Sequence, residues 1–251
     1  MLPVMRHSLR PVCAFPLVAG IVLLALPREA HADPVPQELM DKLAAHAAAF
    51  EAMRTHASFV FEGELDDVDG DGKTASDKRL SARVEANGTA ARLIVIKYVE
   101  DTEDKTEDAR KKAREAEEKR RAKSADQLEK EKVRMPFLAS EQAKYSFDEV
   151  EVDRADGGRV RIAFVPKAPT EQTIEGSAWV DAKVGTVLSA GFKMSKTPFF
   201  VDWIHFTVEF GQVTPLGPAI SKVTTEGRGG IPFFHKHFVG SATISDYRIT
   251  P

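Results

Sequence analysis

The residues of this chain best able to do chemistry are three histidines and one run of aspartates. His235 and His237 stand two apart, a spacing that puts both side chains on one face of a strand. His205, on a neighbouring strand, would supply a third nitrogen, and three imidazoles leave a zinc ion one open position. Phe233, Phe234 and Phe238 surround the pair, and rings at that density read as strand packing. Metal is therefore the weaker alternative, and no cofactor is expected. Asp67, Asp69, Asp71 and Gly72 match the opening of a calcium-binding helix-loop-helix loop. That loop also needs a bidentate glutamate at its twelfth position. Lys78 stands there instead, and the flanks read as strands, so the segment reads as a solvated hairpin tip. No nucleophile turn, HExxH helix or phosphate-cradling glycine loop is present, which points away from an enzyme. Trp179, Phe199 and Trp203 fall on strands, where aromatic rings serve packing more often than ligand stacking.

The elements that must position these residues are strands. Between Ser177 and Phe210 the chain alternates apolar and polar residues in three segments. Ala178 and Val180 share one face, as do Leu188, Ala190, Phe192 and Met194, and then Ile204, Phe206, Val208 and Phe210. Gly185 suits the positive-φ position of the first hairpin, and Pro198 sits between the second and third strands, where no ladder N–H is needed. Similar alternation marks Ser58 to Leu65, Arg79 to Glu85, Tyr145 to Val152 and Arg159 to Val165. Ala91 to Val99 is apolar on both faces, the pattern of a central strand. Asn87-Gly88 and Asp156-Gly157-Gly158 are hairpin signals, with the first also matching a glycosylation sequon, and Gly227 to Gly230 reads as a flexible turn. The last strand or pair of strands runs from Ile231 to Tyr247. About ten strands joined by short turns imply an α+β fold built on an antiparallel sheet too large to stay flat, curled into a half-barrel.

Two helical segments accompany the sheet. Residues 37 to 57 carry Leu39, Leu43, Ala47, Phe50 and Met53 on one stripe, an amphipathic helix with His46 and His56 off the centre of the stripe and expected at the surface. From Asp101 to Arg134 the chain turns to Lys, Arg, Glu, Asp and Ala, with acid-first pairs such as Glu107 and Lys111 or Glu117 and Arg121. Its apolar positions are nearly all alanine, so it reads as a long solvated helical insertion that is dispensable for folding.

Residues 1–32 have the parts of an export signal. Arg6 and Arg10 precede an apolar run from Ala14 to Leu26, and Ala30-His31-Ala32 fits the cleavage rule, which places the cut after Ala32. The run is broken by Pro16 and is shorter than the roughly 20 residues that span a bilayer. Cys13, the single cysteine, lies within this leader, so the mature chain, 33–251, is expected to have neither disulfide nor thiolate site. A net charge of −3 argues against nucleic-acid binding. These readings give one domain, periplasmic or secreted, and a monomer.

The order of an apolar-striped helix, a Phe-rich strand and an antiparallel meander carrying Ser177-Ala-Trp-Val-Asp181 and then Gly185 resembles the periplasmic outer-membrane lipoprotein carrier-like (LolA-like) superfamily. Sigma-factor regulators and lipid-transfer lipoproteins share that fold. The resemblance implies a half-barrel whose concave apolar face is closed by helices and accepts acyl chains or an acylated protein. The insertion at 101–134 falls outside this pattern. The expected lining is Phe59, Phe61, Phe192, Ile204, Phe206 and Val208, serving a lipid or lipidated partner. The alternative is an envelope protein-interaction or stress-sensing module contacted through the charged helix.

Overall fold

A computed structural model describes residues 33–69, 72–87, 90–153, 158–198, 200–231 and 234–249. The expected leader, its cleavage site and Cys13 lie outside them, as do Gly88 and Thr89, Asp156-Gly157, Phe199 and Phe233. Strand β1 (Asp33–Pro34) precedes helix α1 (Gln37–His56). Strands β2 (Ala57–Val68), β3 (Thr74–Asn87), β4 (Ala90–Glu100) and β5 (Glu103–Asp104) follow as a meander. Helices α2 (Thr106–Arg121), α3 (Ala125–Glu131) and α4 (Ala139–Gln142) then lead to β6 (Tyr145–Asp153), β7 (Arg159–Pro166) and β8 (Ile174–Asp181). The chain ends with β9 (Thr186–Met194), β10 (Val201–Thr214), β11 (Gly217–Ile231) and β12 (Phe234–Ile249). The twelve described strands form one open antiparallel sheet in the order β1-β6-β7-β8-β9-β10-β11-β12-β2-β3-β4-β5. The three strands read between Ser177 and Phe210 are β8, β9 and β10, with Ala178 opposite Ala190 and Phe192 opposite Phe206.

Three local expectations are corrected. The glycines from Gly227 to Gly230 do not make a turn but lie inside β11, where Gly227 pairs with Phe238 and Gly229 with Lys236. A side chain at Gly227 would strike the Phe238 ring at 2.5 Å, and one at Gly229 the Phe200 carbonyl at 2.6 Å, so the missing Cβ admits close neighbours. The charged insertion is not one helix. Its first residues form the β4–β5 hairpin, where Asp101 and Thr102 both take positive φ (49° and 76°), as a two-residue primed turn requires. The helical part breaks before Ser124, which starts α3 by a reciprocal cap: Gln127 N–H donates to Ser124 Oγ (3.3 Å), and Ser124 N–H to Gln127 Oε1 (2.9 Å).

The third correction concerns β4, which is not central. Among the described residues only the two-residue β5 lies beyond it, and Leu93 and Ile96 are exposed. Helix α2 covers this edge. Arg110 donates from Nε to the Val95 carbonyl (3.0 Å) and from Nη2 to that of Ile96 (3.2 Å), while Thr106 Oγ1 accepts the Tyr98 N–H (3.0 Å). Side chains of a solvated helix thus occupy ladder groups that an exposed edge would offer to another chain. Replacing 106–131 with a Gly-Ser linker is expected to leave the thermal midpoint within a few degrees, because surface ion pairs contribute little. The same variant should self-associate through β4 in sedimentation velocity, and a variant that stays monomeric at high concentration would show that α2 does not guard the edge.

Helix α1 lies against β3, β9 and β11. Leu39, Met40, Leu43 and Ala47 join Phe164, Ile162, Val180 and Ala178 in the larger buried cluster, whereas Met53 and Ala57 join Ala219 in a smaller one. His46, expected at the surface, is 8% exposed. Its ring meets Phe210 edge-on at 5.7 Å, and Nε2 has no hydrogen-bond partner. Desolvation holds the imidazole below its ordinary pKa of 6.5. The unfolded chain therefore binds the proton more readily, so the stability supplied by neutral His46 is complete above about pH 6.5 and is lost as pH falls through the window below it. Urea titrations between pH 7.5 and 5 should show wild type losing stability on acidification and His46→Leu losing less. Parallel curves would disprove this assignment.

Candidate functional site

The two buried clusters leave space between them. This cavity has a volume of about 360 Å³ and opens to solvent. Its walls come from seven neighbouring strands. Phe164 belongs to β7, Ile174 to β8, Val187, Ala190 and Phe192 to β9, and Val208 and Phe210 to β10. Ile220 comes from β11, Ile244 and Tyr247 from β12, and Ala57 and Phe59 from β2. Six strand spacings of about 4.8 Å would spread β7 to β2 over about 29 Å of flat sheet. For both ends to border one hollow, the sheet must bend around it. Large inward side chains and the accumulating strand twist produce that bend.

Phe50, Met53 and Arg54 of α1 also line the hollow, as does the segment Val133 to Phe137. That segment belongs to the long connection from β5, at one edge of the sheet, to β6, next to the opposite edge. It crosses over the hollow and is tied down at several points. Lys132 Nζ lies 2.9 Å from Glu51, which also holds Arg54 at 2.7 Å. The Arg134 N–H donates to the Gln172 carbonyl (3.2 Å). Gln142 Nε2 donates to the Phe137 carbonyl (3.0 Å) and to that of Met40 in α1 (2.9 Å). Phe137 itself is buried, stacked on Phe147 at 5.5 Å and edge-on to Phe164 at 5.8 Å. Beneath this crossing Glu141 is 2% exposed, its charge balanced by Arg134 (3.2 Å) and Lys144 (2.9 Å).

The interior is apolar. Tyr247 places its hydroxyl on the Ile220 carbonyl (2.9 Å), and burial pushes its phenol up to about 12, so it stays neutral. Of the six residues expected to form the lining, Phe59, Phe192 and Val208 border the cavity. Phe206 stacks on Phe192 at 5.5 Å without being part of the wall, and Phe61 and Ile204 lie away from it. Met53, Phe210, Ile244, Tyr247 and the crossing segment line it outside that expectation. Of the crossing segment, only Met135-Pro136-Phe137-Leu138 carries a signal in the sequence, as an apolar patch closing a charged stretch.

The histidines sit elsewhere. His205 and His237 both face Trp203, with ring centroids 5.4 and 5.9 Å away, and His237 Nε2 lies 2.9 Å from Glu226. The side chain of His235 lies outside the described residues. Among the described residues no group of three or more His, Cys, Asp or Glu is placed to hold a metal ion. At the aspartate run, Asp67 accepts from Lys78 (2.9 Å) and Lys236 (2.8 Å), so the lysine at the twelfth loop position is itself the counter-charge. Burial pushes the Asp67 carboxyl up, but the hydrogen bonds from Lys236 and Lys78 outweigh it and hold the group below its usual range. Asp71 lies outside the described residues.

No protein-family model matches the chain, and no curated protein matches it. In architecture the chain is similar to LolA superfamily proteins. NE2245 of Nitrosomonas europaea, from that superfamily, is 10% identical with a TM-score of 0.40, over 86% of this chain and 93% of that one. A DUF1329 family protein of Desulfovibrio piger is 11% identical with a TM-score of 0.39, over 86% and 93%. MucB of Pseudomonas aeruginosa, solved in complex with MucA, is 13% identical with a TM-score of 0.24, over 85% and 99%. Among the described residues no helix is long and apolar enough to cross a membrane.

Proposed function

We propose that this chain is an exported, non-enzymatic protein that holds an acyl chain of a lipid, or of a lipidated partner, between its curved sheet and α1. The observation that carries this reading is the hollow whose lining, among the described residues, is apolar except for Tyr247 and two partly exposed arginines. A volume of about 360 Å³ stands near the lower end of the range typical of ligand pockets, about 300–1,000 Å³, which suits one chain better than a whole multi-chain lipid. Each buried methylene contributes about 0.8 kcal/mol, which puts the expected affinity in the micromolar class after association costs. In this reading residues 1–32 direct export and are removed after Ala32, and the half-barrel works as a monomer outside the cytoplasm. Native mass spectrometry of protein purified from its own cell envelope tests it. Retained lipid is the expected result, and a mass equal to the polypeptide alone, with no uptake of added fatty acid, would refute it.

A further inference from the structure

The charges at the cavity mouth bear on what kind of amphiphile enters. Of the described residues lining the hollow only two carry charge, and both are cations: Arg54 on α1 and Arg134 on the crossing segment. The two segments that carry them are tied together, because Glu51 links Arg54 to Lys132, two residues before Arg134. Both side chains are partly exposed, at 43% and 33%, so each borders solvent as well as the apolar hollow. The carboxylates that hold them are shared: Glu51 serves Arg54 and Lys132, and Glu141 serves Arg134 and Lys144. A guanidinium has five N–H donors, of which the contact of Arg54 with Glu51 uses one on Nη1, so Arg54 can also receive a second anion.

We propose that the ligand is a single-chain amphiphile with an anionic head, its tail between Phe59, Phe192 and Val208 and its carboxylate or phosphate on Arg54 and Arg134. This rests on the acyl-chain reading above and narrows it. A tail attached to a protein through an amide or ester brings no anion to the mouth, whereas a fatty acid or an alkyl phosphate does. Charge-assisted hydrogen bonds to a planar guanidinium are short and strong, and the partly desolvated rim weakens their competition with water.

The test is displacement of N-phenylnaphthylamine, a neutral reporter of apolar sites, by decanoate, decyl phosphate and decanol. In wild type all three should displace the reporter. Arg54→Gln and Arg134→Gln should each weaken the two anions about ten-fold, the loss of one charged hydrogen bond, and leave decanol within two-fold. Arg54→Lys should retain most of the anion affinity. Because Arg134→Gln also removes a partner of buried Glu141, Arg54→Gln decides the matter if the other variant folds poorly. Displacement by all three ligands that neither glutamine variant alters would overturn the anionic head while leaving the acyl-chain reading standing. Failure of all three to displace the reporter in wild type would overturn both.

Discussion

Replacing Gly185 with alanine is expected to cost about 3 kcal/mol or more, a large share of the stability of an ordinary domain. Two effects add at this position. Gly185 has φ +72°, a conformation that costs a residue with a Cβ about 1–2 kcal/mol. Its ideal Cβ would also run into Lys42 Cβ and lie 3.1 Å from the Lys42 backbone, so α1 would have to move off the β8–β9 turn. Overpacking of this kind typically costs a further 1–3 kcal/mol. Gly72 provides the control, because it has a similar φ of +78° and nothing within 4 Å of the place a Cβ would take. Gly72→Ala should therefore lose only the conformational part. Urea denaturation of both variants separates the contributions, and equal losses would mean that the contact between the turn and α1 carries no energy.

Ala190→Trp is expected to abolish acyl-chain binding without destabilising the protein. Ala190 faces the hollow from β9, opposite Val208, and both border it. An indole there would occupy the space proposed for the tail, and the apolar surface it buries offsets the strain of fitting it. Binding of a fluorescent fatty acid should fall more than ten-fold while the thermal midpoint holds or rises. A variant that binds as well as wild type would locate the lipid elsewhere, and one that unfolds would indicate a wall already close-packed.

The parts of this fold that can be read from sequence are those that depend on neighbouring residues. Alternation at Ala178 and Val180, or at Ile204, Phe206 and Val208, reports which face of a strand is apolar, because side chains project on opposite sides with period two. It does not report depth. Phe206 and Val208 share a face, yet only Val208 borders the cavity, since the bend of the sheet decides where along each strand the hollow falls. Ala91 to Val99 looks central because it is apolar on both faces, whereas its neighbours are β3 on one side and chiefly the arginines of α2 on the other. The burial of His46 is legible by position though not by residue type. It stands three residues after Leu43 and four before Phe50, within the angular span of the helical stripe, and Phe210 of β10 meets its ring edge-on.

The order of strands also fixes an order of events. Two meanders, β2 to β5 and β6 to β12, are each assembled from sequential neighbours, and the pairing of β12 with β2 joins them into one sheet. That pairing sets Ile249 beside Ala57, so the first long strand to form must wait for the last before its free edge is satisfied. Closing a loop of nearly the whole chain is slow compared with closing a hairpin, and it makes this pairing the natural late step of folding. A permuted chain beginning at Tyr145 and running on from β12 into β2 would make every pair within the joined meanders sequential. It should reach the same sheet without that wait.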